Sequence, residues 1–492
     1  MPSELWPIQD TTVRRLSAWA LKLCLLAGTG CLADSNAVAP KGVVQSLRVE
    51  PNPYNQLASL VSFSAIAVDS AQVVYAAEGQ PALTTPCVRL VSDPARVSVL
   101  GLKPNTSYAY HVAACGSASV VSSTVIGLSG SLPNGLEDVS IKSTSGVGSG
   151  WTFLSTTRDS VGYLLAFDST GAIRWYRTFR LRLGEQALDG KQLANGDFSL
   201  FIGASQGWQP TFGRYVEVDP NGDVVRVYVA GAPFYTDGHD LSVSFSGANP
   251  ERITLIGYDL RRVDLSRFGG YPDALVAGHT ILRQTASGMV EFQFSAWDHF
   301  TLDDWIELPD TLKRVPNTDF DHPNSIDFDS DGNYIVSWRH FGEVTKIDAV
   351  TGSILWRLGG RNNQFTFIND PLNGFSGQHQ ARLLPNGNIL LYDNGWRHQP
   401  QETRAVEYRL DVGAKTATMV WEFRHTPPLF TGFVGSVQRL AQGNTLIGYG
   451  QLGRITEVRS DGSIAWEGQL MFGNSPQTFF YRVVKIVSLY KS

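Results

Sequence analysis

EVTKIDAVTGSILWRLGG, residues 343–360, alternates apolar and polar positions up to an aspartate, turns through a glycine, and resumes on an apolar strand carrying a tryptophan. A period of two on either side of a turn is the mark of a β-hairpin with one buried face. The pattern returns in GYLLAFDSTGAIRWY (162–176), RYVEVDPNGDVVRVY (214–228) and RITEVRSDGSIAWEG (454–468). Looser copies are HTILRQTASGMVEFQF (279–294) and RAVEYRLDVGAKTATMVWEF (404–423). Six copies lie between residues 162 and 468, and none is large enough to bury its own faces. Radial stacking of such units predicts an all-β chain: a six-bladed β-propeller over residues 138–492, preceded by a small β-sandwich. The extra length at 298–320 is expected to form loops on one face.

The predicted sandwich covers residues 41–130, where short alternating runs such as Leu60-Val61-Ser62-Phe63 and Arg96-Val97-Ser98-Val99 recur. GLKPNTSYAYHVAAC (101–115) resembles the late strands of a fibronectin type III domain, and that resemblance gives Tyr108 the tyrosine-corner place. LSGSLPNGL (128–136) reads as a linker. At the start of the chain, Arg14 and Arg15 precede an apolar run from Leu16 to Gly30 that Lys22 interrupts. Residues 1–33 are therefore expected to be an export signal rather than a membrane span, placing the protein in the periplasm or on the outer side of a membrane. Cys31 follows Gly28-Thr29-Gly30, a loose lipobox, so lipidation of Cys31 and cleavage near Ala33 are alternative readings. In an oxidising compartment Cys87 and Cys115 are expected to pair.

The chain of 492 residues is 43% hydrophobic and 17% charged, enough to bury a sizeable core. Its net charge of −5 lacks the basic footprint of a nucleic-acid binder. No cysteine follows Cys115, which excludes a cysteine nucleophile or a zinc–thiolate site from the propeller region.

Turn glycines give a common register. Eight residues before Gly247, Gly332, Gly387 and Gly443 stand His239, Asn324, His379 and Gly435, with His322 two residues before Asn324 and Ser436 beside Gly435. Equivalent positions on innermost strands converge on the propeller axis. Pairing across the Asp331-Gly332 turn predicts Arg339 opposite Asn324, and pairing across Asn386-Gly387 predicts Asn394 opposite His379. His239, His322, Asn324, Arg339 and His379 are thus expected at one mouth of the channel. Arginine with several imidazoles suits a tetrahedral oxyanion or transfer of a group through an imidazole nucleophile. Three histidines also suit zinc, and a polar plug without chemistry is the third reading.

DHPNSIDFDSDGNYIVSWRHFGEVTKIDAVTGSILWRLGG (321–360), FSGQHQARLLPNGNILLYDNG (375–395) and GSVQRLAQGNTLIGYG (435–450) resemble the bacterial arylsulfotransferases, the aryl-sulfate sulfotransferase family. The resemblance spans about residues 138–488 and includes FYRVVKIVSLY (480–490). It implies a six-bladed propeller enzyme that moves a sulfuryl group from an aryl sulfate to a phenol without a nucleotide or other cofactor. The histidine of Q-H-x-x-x-x-L-P-N-G-N, here His379, is implied as the group that is transiently sulfated. His322, Asn324 and Arg339 match the sulfate-binding residues, with His239 from an earlier blade and Ser436 as a hydroxyl contact. Trp338, Phe365, Tyr392 and Trp396 are candidates to sandwich the aryl ring, with packing between blades as the plainer reading. His340, His398 and His425 lie off the repeated position. Rival functions are a non-catalytic exported binding propeller and a metal-dependent propeller hydrolase; a homodimer is a further expectation.

Overall fold

In a computed structural model of the protein, the described residues are 42–116, 120–143, 147–204, 213–306, 315–476 and 479–491. The expected export signal and Cys31 lie outside them. Gly42–Ser492 form one compact unit.

Two sheets open the chain. Val43–Pro51, Ser59–Ile66 and Ala95–Val99 make a three-stranded sheet, and Leu83–Thr84, Ser70–Ala77, Ser107–Ala114 and Val125–Leu128 make the core of a second. Alternation does the work: Val61, Phe63, Val73, Val97, Tyr110 and Val112 point inward to one shared core. The Lys103 N–H donates to the Tyr108 hydroxyl oxygen at 3.0 Å. Cys87 and Cys115, 28 residues apart, form a disulfide at the edge of the second sheet. Closing a loop of that size restricts the unfolded chain, so the double substitution to serine should destabilise this part of the protein by about 2–4 kcal/mol. Melts with and without reductant check this; coincident curves would sink it.

Six four-stranded antiparallel arrangements follow. The first joins Trp151–Arg158, Val161–Phe167 and Ile173–Arg180 to the C-terminal strand Val483–Ile486. The second to sixth start on Glu185–Gln192, Tyr235–Ser246, Pro323–Phe328, His379–Leu383 and Ser436–Arg439, and each continues through the next three main strands of the chain. Val139–Ser143 pairs with Ile464–Phe472 of the sixth. Thus the end of the chain completes the first sheet, and the segment just before that sheet extends the last. The first strands of neighbouring sheets touch in order, and that of the sixth returns to Val483–Ile486.

The repeat seen in the sequence has a physical counterpart. Every one of the six sheets carries a register shift between its last two main strands: at Ala166/Phe167, Glu217/Val218, Arg283/Gln284, Lys346/Ile347, Glu407/Tyr408 and Glu457/Val458. In the second, the turn closes as Gly222 donates to the Asp219 carbonyl at 2.9 Å, with glycine at φ 94° where a side chain would be strained.

A second set of irregularities sits on the first strands. Register shifts occur at Leu188/Lys191, Thr236/Leu241, Pro323/Ser325 and His379/Arg382. Asp189, His322 and Gln380 lie in or beside them with φ of 51°, 50° and 45°. Such bulges re-aim side chains out of strict alternation. They also correct the expected pairing. Pro323 pairs with Trp338, and the Arg339 N–H donates to the His322 carbonyl at 3.0 Å, so His322 rather than Asn324 stands beside Arg339. Likewise His379 pairs with Tyr392, not Asn394.

Candidate active site

The bulged first strands surround a cavity of about 430 Å³, lined among others by His239, His322, Arg339 and His379. Four residues expected to converge therefore do meet. The rings of His239 and His322 lie 4.5 Å apart, edge to face. His239 Nδ1 is 2.7 Å from Asp237, and His322 Nδ1 is 2.5 Å from Asp319. With Nδ1 of each ring taken by a carboxylate, each serves the cavity through Nε2. The Arg339 guanidinium donates to the Gly432 carbonyl at 3.0 Å and lies 5.7 Å from the Trp396 ring.

His379 is 2% exposed. Its Nδ1 is 2.7 Å from Asn394 Oδ1, and its Nε2 accepts from the Val434 N–H at 3.2 Å. Burial and the Arg339 guanidinium hold its imidazole well below the usual histidine range. Burial, with His239 and Arg339 beside it, does the same to His322. An anion in the cavity would reverse that second effect, because it favours the protonated ring.

Other expected residues lie elsewhere. Asn324 is buried, donating to the Gln378 carbonyl at 2.7 Å, and its side chain is not on the cavity wall. The Ser436 hydroxyl accepts from the Val483 N–H at 3.1 Å and so ties the sixth sheet to the C-terminal strand. Trp338 packs with Phe294, Phe300 and Phe341, Phe365 with Trp356, and Tyr392 donates toward or accepts from Thr431 Oγ1 at 2.6 Å. None of these aromatic side chains lines the cavity. Its apolar wall is instead Leu188, Phe201, Phe433, Val434, Phe479 and Tyr481.

Two further histidines, His279 and His340, support those of the cavity from behind. His279 is fully buried, with Nδ1 hydrogen-bonded to Asp321 and Nε2 3.8 Å from Asp237. Burial alone would lower its pKa, but Asp321, Asp319 and Asp237 outweigh it and raise it to about 9. The His340 ring lies 4.8 Å from that of His322, tilted by 34°, and its Nδ1 is 3.2 Å from the Asp319 carbonyl oxygen. Two groups, Asp319–His322–His340 and His279–Asp319–Asp321, bring possible metal-ligating atoms within 4.8 Å of one another. Most of these atoms already bond each other or the backbone. Near the cavity, Arg482 bridges Asp189 at 2.7 Å and Asp240 at 3.1 Å, with Lys191 and Arg382 on the same carboxylates. A wider cavity of about 750 Å³ is lined by these three cations and by no histidine, so it lacks a nucleophile of this kind.

Several solved structures are similar in part. A protein of unknown function from Bacteroides caccae is 15% identical, with 65% of this chain and 93% of that chain covered at a TM-score of 0.40. A second, from Bacteroides thetaiotaomicron, is 12% identical over 89% and 92% at 0.34. A catalytically inactive virginiamycin B lyase from Staphylococcus aureus with Quinupristin is 9% identical over 66% and 87%, also at 0.34. These likenesses assign no activity. No curated protein matches the chain. The model of the family described as Arylsulfotransferase (ASST) matches residues 212–471, more than half of the chain and all of the cavity's histidines, and the chain belongs to that family.

Proposed function

We propose that the protein transfers a sulfuryl group from an aryl sulfate to a phenolic acceptor in two steps through His379, on a six-bladed β-propeller. The observation that carries this reading is the meeting of Arg339, His239 and His322 with a deeply buried imidazole, His379, in one cavity with an apolar wall. The donor sulfate docks between Arg339, His322 and His239, which stabilise charge on its oxygens as the bond to the leaving group breaks. The aryl ring lies against Phe433, Phe479 and Tyr481. The His379 Nε2 lone pair attacks sulfur, the S–O bond to the aryl group breaks, and its electron pair leaves with the phenolate. His239, held against Asp237, supplies the proton to that oxygen. In the second half an acceptor phenol returns a proton to His239 while its oxygen takes the sulfuryl group, and the S–N electrons go back to Nε2.

In the same reading the six antiparallel sheets are the blades, and the exchange of strands between the two ends of the domain closes them. Residues 41–130 are a fibronectin type III-like module, with the Tyr108 hydroxyl contact as its tyrosine corner. Residues 1–33 are an export signal, ending either in lipidation of Cys31 or in cleavage near Ala33, and residues 138–492 are the transferase. A second reading is favoured by the Asp319–His322–His340 group: a divalent cation there would make the protein a metal-dependent hydrolase.

The experiment is release of nitrophenol from 4-nitrophenyl sulfate. The expected result is a burst of about one equivalent per site without acceptor, then turnover that depends on added phenol and resists chelator. Kinetics that fit only a ternary complex of donor, acceptor and enzyme would overturn the two-step route. Loss of turnover in chelator, restored by metal, would favour the second reading.

A further inference from the structure

Asn394 follows the strand Ile389–Asp393 and lies behind the His379 ring. Its Nδ2 is 2.8 Å from the Thr431 carbonyl oxygen and 3.1 Å from that of Val434. Carbonyls only accept, so the amide nitrogen must face them, and the amide oxygen must face His379 Nδ1 at 2.7 Å. An amide oxygen also only accepts, so Nδ1 carries the hydrogen. The other ring nitrogen gives an independent answer. The Val434 N–H at 3.2 Å can only donate, so Nε2 holds a lone pair. Both constraints select one neutral tautomer, the one whose lone pair is on Nε2 and accepts from the Val434 N–H.

The contrast with the other two rings is chemical. His239 and His322 are backed by carboxylates, Asp237 and Asp319. A carboxylate supports a positive ring, whereas a neutral amide does not. The segment that supplies the Val434 N–H is tightly held. Val434 has φ 53°, an unusual conformation for a β-branched residue. At Gly435, φ 127°, an added Cβ would fall 2.2 Å from the Tyr392 ring. Both backbone carbonyls that Asn394 grips lie in this segment, so one side chain holds the ring and the strap together.

We propose that Asn394 is a positioning residue: its amide sets His379 in the Nδ1–H tautomer, with the Nε2 lone pair toward the cavity, and holds the Val434 N–H against that lone pair. Its kinetic consequence rests on the transfer reading above. When Nε2 bonds sulfur and the S–O electrons leave with the phenolate, the ring becomes cationic, keeps its Nδ1 hydrogen on Asn394, and frees the Val434 N–H to donate to a sulfuryl oxygen. The titratable and charged groups facing His379 are Arg339, His239, His322 and Arg482, and they stay the same in the variants below.

The test is carried out on the full chain labelled with 15N-histidine. The His379 signals are assigned by their loss in His379→Asn. At neutral pH the ring is expected to show a protonated Nδ1 and an unprotonated Nε2. Asn394→Asp places a carboxylate at Nδ1, so the ring's titration should move up by at least about one pH unit. The acid limb of the first-turnover rate should move with it, giving activity that recovers as pH rises. Asn394→Ala loses the same two bonds to the strap without adding charge. It should be about tenfold slower at all pH values, with no shift of the limb. An Nε2–H tautomer or an imidazolium in the wild type at neutral pH would overturn the proposal, as would an unmoved titration in Asn394→Asp. If the wild type turns over no aryl sulfate, the transfer reading fails, while the nitrogen shifts still decide the role of Asn394.

Discussion

His379→Asn is expected to abolish the burst of nitrophenol from 4-nitrophenyl sulfate and to cut phenol-dependent turnover by roughly 10⁴-fold or more, because an amide has no lone-pair nitrogen to attack sulfur. The substitution keeps a polar side chain between Asn394 and Val434, so the strap retains partners and the fold should persist. Arg339, His322 and His239 line the cavity independently of His379. Donor binding should therefore change by no more than a few-fold, and the loss should fall on kcat rather than on KM. Residual turnover above about one per cent, with a burst intact, would place the nucleophile elsewhere, with His322 and His239 next to be replaced. The same variant addresses pH. Burial and Arg339 keep the His379 ring neutral far into the acid range, so wild-type turnover should not fall between neutral and mildly acidic pH on account of this group.

How much of this was legible beforehand depends on what each feature is made of. The hairpin closing each repeat is local: alternating apolar positions run into a short turn that contains a glycine, and a register shift follows in all six sheets, as in Lys346/Ile347. Histidines on equivalent first-strand positions were legible for the same reason, since counting from a turn glycine is a local measurement. Pairing near the cavity was not. Counting across Asp331-Gly332 assumed unbroken alternation, and the bulge between Pro323 and Ser325 breaks it. An irregularity of this kind exchanges the faces of a strand. Thus Asn324 turns to the Gln378 carbonyl, while Trp338 and Tyr392 turn into the packing between sheets. Of the aromatics that line the cavity, Phe201 and Tyr258 lie on second strands, whereas Phe433, Phe479 and Tyr481 stand outside the strands and carry no periodic signal. His279 was read only as the start of a loose repeat copy. Its partner Asp321 is 42 residues away, and nothing local ties a strand histidine to a carboxylate at that distance.

The largest expected loss of stability comes from Arg404→Met, in the sheet that carries His379. The Arg404 side chain has no exposed surface and meets Asp393 at 2.9 Å, Asp370 at 3.0 Å and Glu422 at 2.9 Å. Methionine is of similar length but leaves Asp393 and Asp370 buried without their cation. Removing one partner from a buried ionic cluster costs about 3–5 kcal/mol, since the desolvated charge is left uncompensated. The remaining partners are neutral donors and one imidazole, too little to replace the cation: Asp393 keeps the N–H groups of Ser376 and Gly395 and has His398 Nε2 at 3.4 Å, and Asp370 keeps the N–H groups of Leu372 and Gly374 and the Tyr408 hydroxyl. The sign of the pH dependence follows. In the wild type, burial pushes Asp370 up, but Arg404 and Tyr408 bring it below its ordinary value; burial leaves Asp393 above it. Without the guanidinium both carboxyls titrate higher in the folded state than the value of about 4 in the unfolded chain. A folded form that binds protons more tightly than the unfolded form gains relative stability as pH falls. The deficit should therefore be full at neutral pH and shrink as pH falls toward the raised carboxyl values. Denaturant melts of both proteins at neutral and mildly acidic pH decide it. A deficit under about 1 kcal/mol, or one that does not change with pH, would mean that the sheet repacks around the lost cation instead of burying two bare carboxylates.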